Sequence, residues 1–328
     1  MADLRAGLLG VGMMGRHHAR VLREVDGVEL VAIADPGGDP YGVAGDLEIL
    51  PDVDALIAAG IDLAVVAVPT RFHEEAALKL AAAGVHTLVE KPIAHTVGAG
   101  QGMVDAFAAA GLVGAVGHVE RFNPALLALR DRIAAGDLGA VYQVATRRQG
   151  PFPSRIADVG VGKDLASHDV DLTAWVVGSP YATVFGQTAL KSGRPHEDMI
   201  LATGRLKNGV IVNHVVNWLS PMKERLTIAT GEKGTFIADT STGDLTFYAN
   251  GTFPLEWESV TAFRGVSEGD VTRYAIQKRE PLRVEAEAFR DAILGKPSDM
   301  VSMEQGQRTL IVVEGILESA RTGRSVDF

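Results

Sequence analysis

Short apolar runs alternate with helical patterns over the first third of the chain. Arg5 to Leu9, Val28 to Ala34, Asp62 to Val68, Val85 to Val89 and Val113 to Gly117 are rich in Val, Ile, Leu and Ala and lack the strict polar alternation of a half-exposed strand. Continuous runs of that kind suit strands covered on both faces. One helical pattern runs from the glycines after Leu9 through Leu22, and another from Pro69-Thr70 to Ala83, where Gly84 stops it. Strands separated by helices of this length predict a doubly wound parallel sheet.

From about residue 140 the period changes. Val141 to Arg148, Tyr181 to Leu190, Met199 to Leu206 and Val210 to Asn217 are longer strands with alternation. Asn208-Gly209 and Asn250-Gly251 lie between such runs and predict tight hairpin turns, since Asn-Gly tolerates the positive φ angles they need. Ile211, Asn213, Val215 and Asn217 put polar residues on one face, so part of this sheet is expected to meet ligand, water or another subunit. Amphipathic helices follow around Glu285 to Leu294 and Glu304 to Thr322. The pattern predicts two domains, residues 1–120 with a parallel sheet and residues 121–328 with an antiparallel-rich sheet and helices. A length of 328 residues gives each enough chain to bury a core.

Composition removes several function classes. With no cysteine, disulfides, thiolate metal sites and a cysteine nucleophile are excluded. A net charge of −10 disfavours nucleic acid and anionic membrane as partners, so any anionic ligand needs a local basic cluster. No apolar stretch is long enough to span a bilayer, and Met1-Ala2-Asp3-Leu4-Arg5 lacks the profile of a secretory signal, so a cytoplasmic location is expected.

Gly10-Val11-Gly12-Met13-Met14-Gly15 follows a strand and opens a helix, the context in which this glycine spacing binds a dinucleotide. Gly10 permits the turn, Gly12 lets backbone approach a pyrophosphate, and Gly15 lets helix and strand pack closely. The helix N-terminus offers unpaired N–H groups to the anion. Asp35, at the end of the second strand, can accept from both ribose hydroxyls and would repel a 2′-phosphate; Pro36-Gly37-Gly38 brings no cation to offset it. NAD is therefore expected over NADP. His17 and His18 point about 100° apart on a helix and are read as packing residues, not a metal pair. Thr70 has two readings, contact with the nicotinamide ribose or N-cap of the following helix.

Together with Glu90-Lys91-Pro92 and Asp164-x-x-x-His168-x-x-Asp171, these motifs make the sequence resemble the Gfo/Idh/MocA family of sugar and inositol oxidoreductases over nearly the whole chain. The resemblance implies a Rossmann domain, a C-terminal α+β domain with a large open, mostly antiparallel sheet, and hydride transfer between a sugar carbinol carbon and NAD. It implies a homo-oligomer, dimer or tetramer, formed through that sheet. It marks Gly10, Gly12, Met13, Met14, Gly15, Asp35, Pro69, Thr70, His73, Glu90 and Lys91 as candidate cofactor contacts, and Lys91, Asp164 and His168 as the candidate catalytic set. One departure is that Pro36 to Gly42 cannot sustain the helix that usually follows the acidic residue.

Oxidising an alcohol needs a base for the hydroxyl proton. Lys91 fits, because desolvation and the like charge of NAD⁺ both disfavour an ammonium there; Pro92 permits a cis peptide before it. Asp164, His168 and Asp171 stand at i, i+4 and i+7 of a predicted helix ending near Gly178, hence on one face. Either aspartate could fix the His168 tautomer, and either Lys91 or His168 could take the proton. The cluster is not expected to hold a metal. Asn123-Pro124 reads as a helix cap, with substrate contact as the alternative. Arg121 and the basic excess Arg147, Arg148, Arg155 and Lys163 read as a clamp for an anion, or as partners of acids on a neighbouring subunit. Within the family, that loop resembles the branch acting on UDP-linked amino sugars at C3. The expected substrate contacts are Lys91, Arg121, Asn123, Arg148, Arg155, Asp164, His168 and Asp171. The alternatives are a free inositol or aldose as substrate, and a non-catalytic NAD-binding sensor, which would need neither Lys91 nor His168.

Overall fold

A computed structural model of the chain describes residues 3–152, 159–251 and 267–328. It forms two compact units, Met1–Val119 with Glu280–Glu314, and Glu120–Arg279 with Gly315–Phe328. The expected boundary near residue 120 is where the first crossing lies. The expectation that everything after it belongs to the second domain does not hold, because Glu280–Glu314 returns to the first unit.

In the first unit, strands β1 (Leu4–Leu9), β2 (Val28–Ala34), β3 (Ile49–Leu50), β4 (Leu63–Val66), β5 (His86–Glu90) and β6 (Gly114–Gly117) form one sheet in the order β3-β2-β1-β4-β5-β6. Every neighbouring pair is parallel. Helices α1 (Met13–Glu24), α2 (Val53–Ala58), α3 (His73–Ala82) and α4 (Val97–Ala110) connect the strands. Apolar layers lie on both sheet faces: Ala76, Leu80, Met103 and Phe107 from α3 and α4 on one, Ala19, Val21 and Leu22 from α1 on the other. Chain order reverses between β1 and β4, so a crevice opens at their C-terminal ends.

The returning segment completes both layers. Helix α7 (Pro281–Ile293) adds Leu282 and Phe289 beside Val21 and Leu22, and the start of helix α8 (Met303–Thr322) adds Met303 and Leu310 to the opposite layer. These four side chains are at most 7% exposed, so burial there outweighs the entropy of ordering a long return.

The second unit carries helices α5 (Pro124–Ala134) and α6 (Ser167–Val177) and strands β7 (Val141–Pro151), β8 (Tyr181–Ala189), β9 (Met199–Leu206), β10 (Ile211–Asn217), β11 (Leu219–Gly231), β12 (Gly234–Asp239), β13 (Asp244–Gly251), β14 (Ser267–Arg273) and β15 (Val326–Asp327). The sheet order is β14-β13-β12-β11-β7-β10-β9-β8-β15. Only β7 and β10 run parallel; the other pairs are antiparallel. Alternation sorts the faces. Val144, Thr146 and Arg148 of β7 and Val212, His214 and Val216 of β10 are buried, whereas Ile211 and Leu201 on the other face are 44% and 45% exposed.

Of the two expected turns, the first forms and the second does not. At Asn208-Gly209 only Gly209 takes a positive φ, +92°, while Asn208 closes the β9–β10 hairpin by accepting from Val210 N through its side chain. Asn250-Gly251 is no turn at all, because both residues continue β13 and pair with Glu268 and Ser267 of β14. Asn217, expected on the open face, is buried; its Oδ1 accepts from Leu219 N and Ser220 N and its amide donates to Gln149 Oε1.

His214 is held between Thr146 Oγ1 and the Tyr181 hydroxyl, each 2.8 Å from a ring nitrogen. Burial pushes its pKa down to about 4. The unfolded chain therefore takes up a proton near pH 6.5 that the folded chain refuses until about 4, and stability falls as pH drops through that window. Lowering the pH from 7 to 5 is expected to cost about 2 kcal/mol through this residue. Urea unfolding of His214→Gln should lose correspondingly less over the same interval.

Candidate active site

Gly10, at φ +97°, turns the chain out of β1. A Cβ on Gly15 would lie 2.0 Å from the carbonyl oxygen of Gly10, so only glycine lets α1 start this close to the strand. A Cβ on Gly12 would meet nothing within 4 Å, which leaves open space above the first turn. The first main-chain bond of α1 is Arg16 N to Gly12 O, so the N–H groups of Met13, Met14 and Gly15 have no partner within the helix. Asp35 reaches back to the loop: Oδ2 accepts from Val11 N at 2.9 Å and Oδ1 from Gly37 N at 2.7 Å. No helix follows, and Pro36 and Gly37 line a cavity of about 600 Å³ that Gly10, Gly12, Asp35, Pro69 and Phe72 also line. Glycine loop, open helix end, carboxylate and cavity together fit the pyrophosphate and adenosine ribose of NAD.

Beyond β4, Thr70 starts a 3₁₀ turn, Thr70–Phe72, and the N-cap position of α3 is Phe72 without a side-chain bond. The capping reading of Thr70 therefore falls. His73, expected to touch the cofactor, is 1% exposed and braces two loops, Nδ1 lying 3.0 Å from Pro92 O and Nε2 2.9 Å from Val68 O. Burial lowers its pKa against the opposing pull of those carbonyls. The Lys91-Pro92 peptide is cis.

Glu90 is likewise an inward residue. Its Oε1 lies 2.8 Å from Nε2 of His18 on α1, and its Oε2 accepts from Lys91 N at 3.1 Å. Burial pushes this carboxyl up, but the contact with His18 and the charges of His18 and Lys91 outweigh it, and the net shift is downward. Glu90 thus ties the end of β5, just before the lysine, to the helix that the dinucleotide loop opens. His18 has this partner, while His17 is half-buried on another side of α1. Sequence reading gave His18 a packing role but missed the carboxylate 72 positions away.

In the second unit the predicted Asp164-His168-Asp171 helix starts as a π turn, Gly162–Ala166, before α6 begins at Ser167. The wider turn breaks the plain i, i+4, i+7 phase between Asp164 and the residues after it. Glu197 accepts from Gly162 N at 2.9 Å and fixes the start of this turn. A Cβ on Gly160 would lie 2.1 Å from Glu197 Oε1, which accounts for glycine there. Asp164 is 3% exposed and His168 is half-buried.

The expected anion clamp is differently arranged. Arg121 makes two 2.6 Å bonds to Asp171, Nε to Oδ2 and Nη2 to Oδ1, and both side chains are buried. Arg148 donates to Asp169 through Nε at 2.8 Å and to Glu120 through Nη1 at 3.0 Å. Burial opposes its charge, but Asp169 and Glu120 outweigh that and raise its pKa further. Of the two acids, burial drives Asp169 up, whereas Arg148 holds Glu120 below its ordinary value despite burial. Arg147 points the other way, as strand alternation requires, 3.4 Å from Glu224. Asn123 caps α5 by accepting from Ala125 N and gives its amide to Thr240 O, so both ends of its side chain are engaged within the fold. Arg155 lies outside the described residues.

A parallel sheet with a glycine loop and a carboxylate at its switch point is the arrangement of a dinucleotide-binding fold. Comparison with known proteins agrees. The model of the oxidoreductase family with an NAD-binding Rossmann fold matches residues 4–118, and that of the GFO/IDH/MocA C-terminal domain matches residues 126–237. The chain belongs to the Gfo/Idh/MocA family. It is 32% identical to UDP-N-acetylglucosamine 3-dehydrogenase of Acidithiobacillus ferrooxidans over 65% of this chain and 66% of that protein. It is 30% identical to scyllo-inositol 2-dehydrogenase (NAD(+)) of Bacillus subtilis over 56% and 57%. These curated relatives are thus matched over less than two thirds of their own length. The solved structure of the Acidithiobacillus ferrooxidans enzyme superimposes with a TM-score of 0.83 at 27% identity, covering 97% of this chain and 98% of that one. Among the described residues no helix is long and apolar enough to cross a membrane.

Proposed function

We propose that this chain moves a hydride between a sugar carbinol carbon and NAD, and that the sugar is UDP-linked and oxidised at C3. The observation that carries the reading is the fixed lysine: Lys91 follows a buried Glu90 anchored to His18 on the dinucleotide helix, in a unit whose glycine loop and Asp35 fit NAD. A sensor that only bound NAD would need no such lysine, nor a half-buried His168 beside a buried Asp164.

The glycine loop and the N–H groups of Met13, Met14 and Gly15 would hold the pyrophosphate, and Asp35 the adenosine ribose. When bound, NAD⁺ supplies the hydride acceptor. Lys91 Nζ and His168 are the groups that hold or move the hydroxyl proton, and Asp164 orients the sugar. Arg121, Asp171, Arg148 and Asn123 build the frame of the second unit, which leaves Arg155 and Lys163 as the cations we propose for a diphosphate. The open face of the nine-stranded sheet, with Leu201 and Ile211, is the surface through which we propose that subunits pair.

The 32% identity to a UDP-N-acetylglucosamine 3-dehydrogenase supports a UDP-sugar. The internal pairing of Arg121 and Arg148 favours the second reading, a free inositol or aldose, since both guanidinium groups expected on an anion are engaged elsewhere. Purified protein should be offered NAD⁺ with UDP-sugars, free sugars and inositols while absorbance of the reduced nicotinamide is followed. Reduction with a UDP-N-acetylamino sugar is the expected result. Turnover of neutral polyols with every UDP-sugar inert would replace the first reading by the second.

A further inference from the structure

The cavity at the adenosine end of the first unit is more acidic than Asp35 alone makes it. Asp52, Asp54 and Glu75 line it as well, and the one cation among its lining residues is Lys79. That lysine is engaged: Nζ lies 2.8 Å from Asp54 Oδ2 and 3.4 Å from Glu75 Oε1. Asp54 comes from α2 and Glu75 and Lys79 from α3, so two elements converge on the ammonium, and Glu75–Lys79 is the favourable i, i+4 orientation. Asp52 is committed to the N-cap of α2, accepting from Ala55 N at 2.9 Å, which fixes its charge at the rim.

We infer that discrimination against a 2′-phosphate is built in two layers, Asp35 on the ribose and an Asp54–Glu75 pair that neutralises Lys79 and keeps it from serving as a phosphate partner. The argument is one of distance and sign. A cavity of about 600 Å³ is roughly a Debye length across at physiological salt, so a 2′-phosphate anywhere in it feels all four carboxylates. The missing helix after β2 strengthens the point, because Pro36 and Gly37 add no side-chain donor on that side. A lysine released from its acids would supply three N–H donors and a full charge to the same space. Lys79, Asp54 and Glu75 are 38%, 64% and 71% exposed, so changing them disturbs no core.

Calorimetric titration with NAD⁺ and NADP⁺ reads this without a substrate, and NAD⁺ binding by the wild type is the check that the cofactor reading itself stands. The quantity to follow is the ratio of the two dissociation constants. Asp35→Ala alone should weaken NAD⁺ while NADP⁺ stays within a few-fold of its wild-type affinity. Asp54→Asn with Glu75→Gln should shift the ratio toward NADP⁺ by about tenfold or more, and Lys79→Met added to that pair should remove most of the gain, leaving only the relief of repulsion from the two lost carboxylates. In the wild type, added salt should tighten NADP⁺ relative to NAD⁺, because screening relieves repulsion. An unchanged ratio in the Asp54→Asn, Glu75→Gln protein, or a gain left undiminished by Lys79→Met, overturns the inference. So does an Asp35→Ala protein that binds NADP⁺ as tightly as the wild type binds NAD⁺.

Discussion

Alanine at Lys91 or at His168 is expected to lower kcat by about 10² or more while NAD⁺ affinity changes far less. The two residues stand on different scaffolds. Lys91 is carried at the end of β5 with its main chain fixed by Glu90 and its neighbour Pro92 braced by His73. His168 is carried on the second residue of α6, just past a π turn that Glu197 anchors. Each is therefore held by a scaffold that an alanine leaves intact, and loss of turnover with retained unfolding free energy isolates the chemistry from the fold. Stopped-flow measurement of nicotinamide reduction at saturating substrate, beside calorimetric NAD⁺ binding, checks both halves. Near-normal turnover of the Lys91 variant would remove that residue from proton transfer.

The second large effect is on stability. Arg148→Ala leaves the buried Asp169, and the half-buried Glu120, without their cation, and breaking a buried pair of this kind costs about 3–5 kcal/mol. Arg148→Lys keeps a charge but cannot reach both acids with one planar fork, so an intermediate loss is expected. Urea unfolding at neutral pH measures both. The experiment also separates framework from clamp: a phosphate-binding arginine would raise KM with the midpoint unchanged, whereas the geometry here predicts a lowered midpoint. Because Asp169 adjoins His168, a lowered kcat should accompany the lost stability.

Local pattern carried the strands and helices of the first unit, because apolar period and glycine punctuation are properties of neighbouring residues. β2 runs over Val28–Ala34, as expected, and α1 opens at the glycine loop. The same holds for the turn at Gly10 and the close approach at Gly15, which follow from backbone freedom at a fixed spacing. What escaped the sequence was pairing across long separations. Arg121 looked available because its acid, Asp171, lies 50 positions away, and Arg148 because Glu120 and Asp169 come from two different elements. Asp169 itself was passed over although it adjoins His168; a position about 100° round the helix from a half-exposed histidine was bound to face the core. Asn250-Gly251 misled for the opposite reason, a strong local turn signal overruled by the strand pairing it sits in.

The return of Glu280–Glu314 to the first unit has a consequence for how the protein is made. Synthesis proceeds from the N-terminus, so the glycine loop, Asp35 and Lys91 leave the ribosome long before Leu282, Phe289, Met303 and Leu310, which seal the two apolar layers beneath them. Until those residues emerge, the nascent first unit exposes the sides of its sheet that they later cover, and eight of the second unit's nine strands are translated in the interval. The usual order, in which an N-terminal domain closes before its successor appears, does not hold here, because the two units interleave and Gly315–Phe328 completes the second only after Glu280–Glu314 has completed the first. The nascent chain must keep an unfinished core soluble through most of its own translation, and the dinucleotide loop acquires its final support only near the end.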